Sequence, residues 1–374
     1  MAIALRFQIL VLAFCASLFI PTSAYGHPGL HKEHAALFIF GDSLFDVGNN
    51  DYINTSTNFQ ANFSPYGETF FGYSTGRFSN GRLIPDIIAE YAELPLIPPY
   101  LQPGLHNYTY GVNFASAGAG VLAETHQGFV IDLKTQRSYF KKVVKQLRHK
   151  LGHAEAFTFL SDAVYLFSVG GNDYFYQFQT NSSFFESHSP EQYVGMVVGN
   201  LTKVIKEIYK KGGRKFGITS LPPIGCVPFA RATKPGNTGT CVEELNALAE
   251  LHNTVLSEAL LKLKGKLQGL KYSYPDIYTY LNGVFNDPSN YGFKEGKTAC
   301  CGSGPYRGIL SCGGKRGVTD YQLCDNVTEY VFFDSVHPTE RVYQKVSELW
   351  WRHSPNVTGS YINLKELFEV DLLI

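Results

Sequence analysis

The sequence predicts an α/β fold in which a parallel sheet is sandwiched between helix layers, with functional residues on loops at the carboxyl ends of the strands. Three observations predict it. Continuous apolar runs of strand length recur and stop at glycine-rich turns. Segments with apolar residues at helical spacing stand between them. The two kinds alternate along the chain with no internal repeat and no long linker, which favours a parallel sheet with helical crossovers.

Ala35 to Phe40 (AALFIF) is the first strand, and it opens abruptly into Gly41-Asp42-Ser43. Leu83, Ile84, Ile87, Ile88, Tyr91 and Leu94 then repeat at helical spacing, with Ser79 or Asn80 as the expected cap. Tyr110 to Ala115 is a second strand running into the turn Ser116-Ala117-Gly118-Ala119-Gly120, and a helix carries Leu133, Phe140, Val143, Val144, Leu147 and Leu151. Ala163 to Val169 is a third strand ending in Gly170-Gly171-Asn172-Asp173. The helix starting near Pro190 turns Tyr193, Val197, Leu201, Val204 and Ile208 toward a core. Lys215 to Thr219 is expected as the fourth strand, 242–267 as a long helix and Asp276 to Leu281 as the fifth strand. A cysteine-rich loop over 300–324 precedes a further apolar strand, Tyr330 to Phe333, and the last helix begins near Pro338.

Residues 1–26 have the pattern of a secretory signal peptide: Arg6, an apolar run from Ile9 to Ile20, and Thr22-Ser23-Ala24 as a small-residue cleavage site. That run falls short of the roughly 20 residues a membrane span needs, so no integral segment is expected once it is removed. Residues 27–374 are expected to form a single domain, because the candidate site draws on residues spread over nearly all of it. Lys plus Arg and Asp plus Glu number 32 each, so no strong field draws the protein to nucleic acid, and neutral or amphiphilic molecules are the better partners.

Beyond the leader stand Cys226, Cys241, Cys300, Cys301, Cys312 and Cys324, an even set suited to an oxidising compartment. If Cys226 pairs with Cys241, the other four allow three connectivities, of which Cys300 with Cys301 is strained. The cluster lacks two separated CxxC pairs, which argues against a zinc site. Asn54, Asn62, Asn107, Asn181, Asn200, Asn326 and Asn356 head glycosylation sequons, with Asn62 the weakest because Pro65 follows its Ser64.

Ser43 directly follows a buried strand, so its hydroxyl is expected exposed at the sheet's end, where a helix N-terminus would favour a developing anion. In FFDSVHPTE, Asp334 and His337 lie three residues apart, close enough for the carboxylate to orient the imidazole that takes the serine proton. Acyl transfer also needs oxyanion donors: the backbone N–H groups of Ser43 and Gly118 and the side-chain amide of Asn172 are the candidates, with Gly120 an alternative to Gly118. Asp46, Asn49 and Asn50 either support the loop by hydrogen bonds or are polar turn residues, the second reading being favoured here and for Arg77 and Arg82; Tyr174, Phe175, Tyr176 and Phe178 are read as packing aromatics over an acyl pocket.

Together GDS, NFASAGAG, GGND and DSVHP resemble, in order and character, the blocks of the plant GDSL esterase/lipase family, a branch of the SGNH hydrolases. SPYGETFFGYSTGRFSNGRLIPD, LPPIGCVP and ACCGSG extend the resemblance over essentially the whole mature chain, which looks most like the secreted lipases associated with pathogen defence. The resemblance implies a flavodoxin-like three-layer α/β/α fold and a mobile site that hydrolyses esters with no metal or organic cofactor. It places Ser43 as nucleophile, His337 as base, Asp334 as orienting acid, and Gly118 and Asn172 as oxyanion donors. Unlike the GxSxG elbow, the residue two after the nucleophile is Phe45, so the turn must be built differently. An acyltransferase with the same residues, or a non-catalytic lipid- or glycan-binding protein, are the alternatives.

Overall fold

The computed structural model describes residues 35–180, 187–233, 236, 239–352 and 362–370. The leader at 1–26, Asn181 and Asn356 lie outside them. Five strands form one parallel sheet: β1 (Leu37–Gly41), β2 (Gly111–Asn113), β3 (Val164–Ser168), β4 (Lys215–Ile218) and β5 (Lys271–Ser273). Their order is β2-β1-β3-β4-β5, the flavodoxin-like arrangement, so the order reverses between β1 and β3. All five residues of β1 and of β3 are buried, which explains why β1 appears in the sequence as an unbroken apolar run and β3 as one broken only by Ser168.

The helices in chain order are α1 (Ile84–Tyr91), α2 (Leu133–Leu151), α3 (His153–Asp162), α4 (Gly171–Thr180), α5 (Pro190–Tyr209), α6 (Pro228–Thr233), α7 (Glu243–Lys266), α8 (Ile277–Asn286), α9 (Glu340–Arg352) and α10 (Leu364–Glu369). On one layer α5 packs between α2 and α7; on the other α9 packs between α1 and α10. The strands' period of two separates the chemistry of the two sheet faces. Register partners stack their rings on the α2 face: Phe38 on Tyr165 at 5.5 Å, Phe40 on Phe167 at 4.8 Å, and Tyr165 on Phe216 at 5.4 Å. Phe140 of α2 meets Phe38 and Phe40 edge-on. The opposite face is smaller in side chain, and Gly217 lets Trp350 of α9 and Leu364 of α10 close on the sheet.

Two expected strands are corrected. Residues 276–281 are the first turns of α8: the Asp276 carboxylate accepts from Thr279 N–H, and Ser220 Oγ accepts from the N–H groups of Ile277 and Tyr278. Ile277, Leu281, Val284 and Phe285 bury one helical face, and the fifth strand lies just upstream at Lys271–Ser273. Residues 330–333 join no sheet ladder; they bend between the cysteine loop and α9 with isolated bridges at Tyr330 and Phe332, and Cys300 and Cys301 N–H donate to the carbonyls of Phe332 and Phe333. Neither Ser79 nor Asn80 caps α1, where Asp86 Oδ2 instead accepts from Leu83 N–H. Asn80 Oδ1 accepts from Glu340 N–H, so it caps the distant α9 and ties the early chain to the late one.

The disulfides are Cys226–Cys241, Cys300–Cys324 and Cys301–Cys312. The last two fold the 300–324 loop around a two-stranded ribbon of β6 (Cys301–Gly302) and β7 (Gln322–Leu323). Asn54, Asn62, Asn107, Asn200 and Asn326 are all exposed.

A Cβ on Gly217 would stand 2.6 Å from Leu166 and 2.9 Å from Trp350, both in the core. Gly217→Val is therefore expected to destabilise the fold by about 2 kcal/mol or more in chemical denaturation, and an unchanged midpoint would contradict this packing.

Candidate active site

The site sits at the carboxyl ends of β1, β2 and β3, beside the point where the strand order reverses. Ser43 follows β1 directly, but no helix starts there. The chain makes a single tight turn in which Phe45 and Asp46 N–H donate to Asp42 O, and Leu44 N–H donates to Asp42 Oδ1. The glycine before it is required by close approach, since a Cβ on Gly41 would lie 2.4 Å from Ser168 O.

Ser43 Oγ is 2.8 Å from His337 Nε2, and His337 Nδ1 is 2.8 and 2.9 Å from the two oxygens of Asp334. Asp334 Oδ1 also accepts from the N–H groups of Val336 and His337, and Phe333 N–H donates to His337 O. These bonds curl residues 333–337 so that the Asp334 and His337 side chains face each other. Burial alone would push the Asp334 carboxyl up, but the His337 imidazole, the Arg316 guanidinium and the Tyr66 hydroxyl outweigh it and hold it well below the usual carboxylate range. An ionised Asp334 only accepts, so Nδ1 carries the imidazole proton and Nε2 is left to accept from Ser43 O–H.

Behind Asp334 lies a support with no clear sequence signal. Tyr66 O–H donates to Asp334 Oδ2 at 2.7 Å, and Arg316 Nη1 donates to Tyr66 Oη at 2.7 Å. Arg316 is held in turn by the carbonyls of Thr57, Gln60 and Cys312, and its guanidinium lies over the rings of Phe63, Tyr66 and Phe78. Tyr66 falls in SPYGETFF, whereas Arg316 is one basic residue in a polar loop.

The three oxyanion candidates converge on one basin that Ser43, Gly118, Asn172 and His337 line together. Among the described residues, neither Ser43 N–H nor Gly118 N–H donates to a protein acceptor. Asn172 Nδ2 donates to Ala119 O at 3.0 Å, which leaves its second amide hydrogen available. Gly120 is not among the residues that line this basin, and a Cβ there would lie 2.5 Å from Asp173 and Thr125. Gly118 has φ +80°, a left-handed conformation suited to glycine, and its carbonyl accepts from His126 Nδ1 at 2.8 Å.

Residues expected as turn polars prove to be the frame of this site. Asp46 accepts from Gly48, Asn49 and Ala117 N–H, and Asn49 Nδ2 donates to the carbonyls of Asn113 and Ala115. Asn50 Nδ2 donates to Ala117 O, and its Oδ1 accepts from Ser116 Oγ. These bonds stitch the loop after Ser43 to the segment that carries Gly118. Farther out, Arg77 pairs through two bonds with Asp86, and Arg82 with Glu340. Of the four aromatics, Phe175 and Tyr176 line cavities at the site, while Tyr174 is core and contacts His252.

Tyr66→Phe is expected to lower kcat by about tenfold to a hundredfold while KM changes little, because Tyr66 steadies Asp334 without lining the basin. An unchanged kcat would remove Tyr66 from the machinery. A second expectation concerns Asp42, whose carboxyl is pushed up to about 7, chiefly by burial. A carboxyl that holds its proton more tightly folded than unfolded favours the fold at acid pH, and that contribution fades as pH rises from about 4 to about 7. Asp42→Asn should therefore gain stability relative to the parent protein by on the order of 2–4 kcal/mol between about pH 5 and pH 8; a difference that stays flat across the range would contradict it.

A family model described as GDSL-like Lipase/Acylhydrolase matches residues 37–350. GDSL esterase/lipase 1 of Arabidopsis thaliana is 53% identical over 345 residues, covering 91% of this chain and 92% of its own. GDSL lipase of Tanacetum cinerariifolium is 49% identical over 361 residues, covering 96% of this chain and 93% of its own. Among solved structures, phospholipase A1 of Streptomyces albidoflavus has 14% identity and a TM-score of 0.37, covering 84% of this chain and 97% of its own. On the matched residues and these identities, the chain belongs to the GDSL-like lipase/acylhydrolase family of carboxylic ester hydrolases.

Proposed function

We propose that the protein hydrolyses acyl esters through a covalent acyl-enzyme on Ser43. The observation that carries this reading is the single hydrogen-bonded line from Ser43 Oγ through His337 to Asp334, whose Ser43 end shares a basin with three donors that can serve one oxyanion. His337 Nε2 takes the Ser43 proton as Oγ attacks the ester carbonyl. The negative charge then on the carbonyl oxygen is met by Ser43 N–H, Gly118 N–H and the free amide hydrogen of Asn172, which line the same basin. Collapse of that intermediate expels the alcohol with the proton from His337. Water, deprotonated by the same imidazole, attacks the acyl-enzyme and releases the acid.

The leader at 1–26, three disulfides and exposed sequons at Asn54, Asn107, Asn200 and Asn326 support delivery through the secretory route to the cell exterior. Among the described residues no helix is long and apolar enough to cross a membrane.

Ser43→Ala in protein secreted from a eukaryotic host is expected to lower p-nitrophenyl ester hydrolysis by about 10⁴-fold or more and to abolish labelling by a fluorophosphonate. Full activity in the variant would overturn the nucleophile. Parent protein that is folded but neither labels nor hydrolyses would favour a binding role. Ester formation exceeding hydrolysis when an alcohol competes with water would make it an acyltransferase.

A further inference from the structure

Two cavities of different character meet at Ser43, and Asn172, Phe175, Val336 and His337 line both. The inner one is a slot of about 80 Å³ over the carboxyl ends of β3 and β4 and against α8 and α9. Beyond the shared Ser43, Asn172 and His337 and the sheet-edge Asp42, Ser168, Thr219 and Ser220, its walls are mainly alkyl and aromatic, among them Ile84, Leu221, Leu281, Phe285, Phe332 and Val346. Each of those six is at most 4% exposed, so the slot has a buried end. The outer cavity is a basin of about 270 Å³ walled by Asn58, Gly118, His126, Tyr176, Gln179 and Thr180, of which Asn58, Gln179 and Thr180 are exposed.

We propose that the inner slot receives the acyl chain of the ester and the outer basin its alcohol, with Leu281 and Val346 limiting the acid to a short alkyl chain. This rests on the ester-hydrolase reading and adds the direction in which the substrate lies. The order of events requires an open side for the alcohol. After acylation the alcohol must leave and water must reach the same carbonyl from the leaving-group direction, and only the basin has exposed walls. The acyl chain stays bound through both steps and gains from a dry wall, each buried methylene raising specificity about fourfold. Size sets the limit: an apolar cavity of about 150 Å³ admits a six-carbon ring, so a slot of about half that volume holds roughly three to four carbons. Leu281 lies on α8, and Val346 lies one turn of α9 beyond Val342, which also lines the slot.

The test compares kcat/KM for p-nitrophenyl acetate, butanoate, hexanoate and octanoate in the parent protein, Val346→Phe and Leu281→Ala. The parent is expected to peak at butanoate. Val346→Phe should lower the butanoate-to-acetate ratio about tenfold, and Leu281→Ala should move the peak to hexanoate or octanoate. A ratio taken within one preparation does not depend on how much of it is folded, and the two variants push in opposite directions. Butanoates of methanol, glycerol and glucose supply the second arm, in which neither variant should reorder the alcohols. Hydrolysis with an unmoved acyl profile, or variants that reorder the alcohols instead, would overturn the slot assignment and leave ester hydrolysis standing. A folded parent protein that cleaves none of these esters would instead remove the underlying reading.

Discussion

The site turns on one hydrogen bond between Ser43 and His337, residues 294 apart in sequence. A serine hydroxyl becomes a useful nucleophile only when a base meets it at bonding distance, so the fold must bring the two ends of the chain together. The sheet does half of this. β1 is flanked by β2 and β3, so the segments after these three strands open on the same edge and deliver Ser43, Gly118 and Asn172 side by side. The other half comes from outside the sheet. Residues 330–337 hang from the cysteine loop by backbone bonds, and Asn80, Arg82 and Tyr66 tie them and the start of α9 back to the early chain.

That arrangement gives the disulfides a part in alignment as well as stability. Cys301–Cys312 and Cys300–Cys324 close loops with sequence separations of 11 and 24, and the enclosed segment both pins Phe332 and Phe333 and leads into Arg316. Arg316 then bears on Tyr66, and Tyr66 on Asp334. The result is a line of donors and acceptors in which each buried polar group has its partner, the condition under which a buried network holds a geometry rather than weakening it. Among the described residues the backbone N–H groups of Ser43 and Gly118 have no protein acceptor. In the proposed reaction they are donors held ready for a charge that exists only during turnover.

Much of this was legible in the sequence, for identifiable reasons. β1 and β3 are buried on both faces and are apolar up to their glycines apart from Ser168, so composition locates them, and the residues after them head the site. Asp276 to Leu281 misled because its Ile and Tyr residues have strand propensity, while Ser220 and Asp276 cap the segment as a helix. Tertiary capping by a residue some 57 positions away leaves no local trace. The same holds for Asn80, whose cap lies on α9. Asp46, Asn49 and Asn50 are not legible as a brace because an Asn-rich turn and a buried brace have the same local sequence; only burial distinguishes them. Arg316 and the cysteine connectivity were illegible for the same reason, since both are facts about distance in space.

If Ser43 and His337 act as one unit, kcat for folded Ser43→Ala, His337→Ala and the double variant will show it. Residues that carry out a single proton transfer and attack cannot be removed twice, so the double variant should be no worse than the poorer single variant by more than about threefold. Losses that multiply would show two independent contributions, and the hydrogen bond on which this account is built would then have no catalytic meaning.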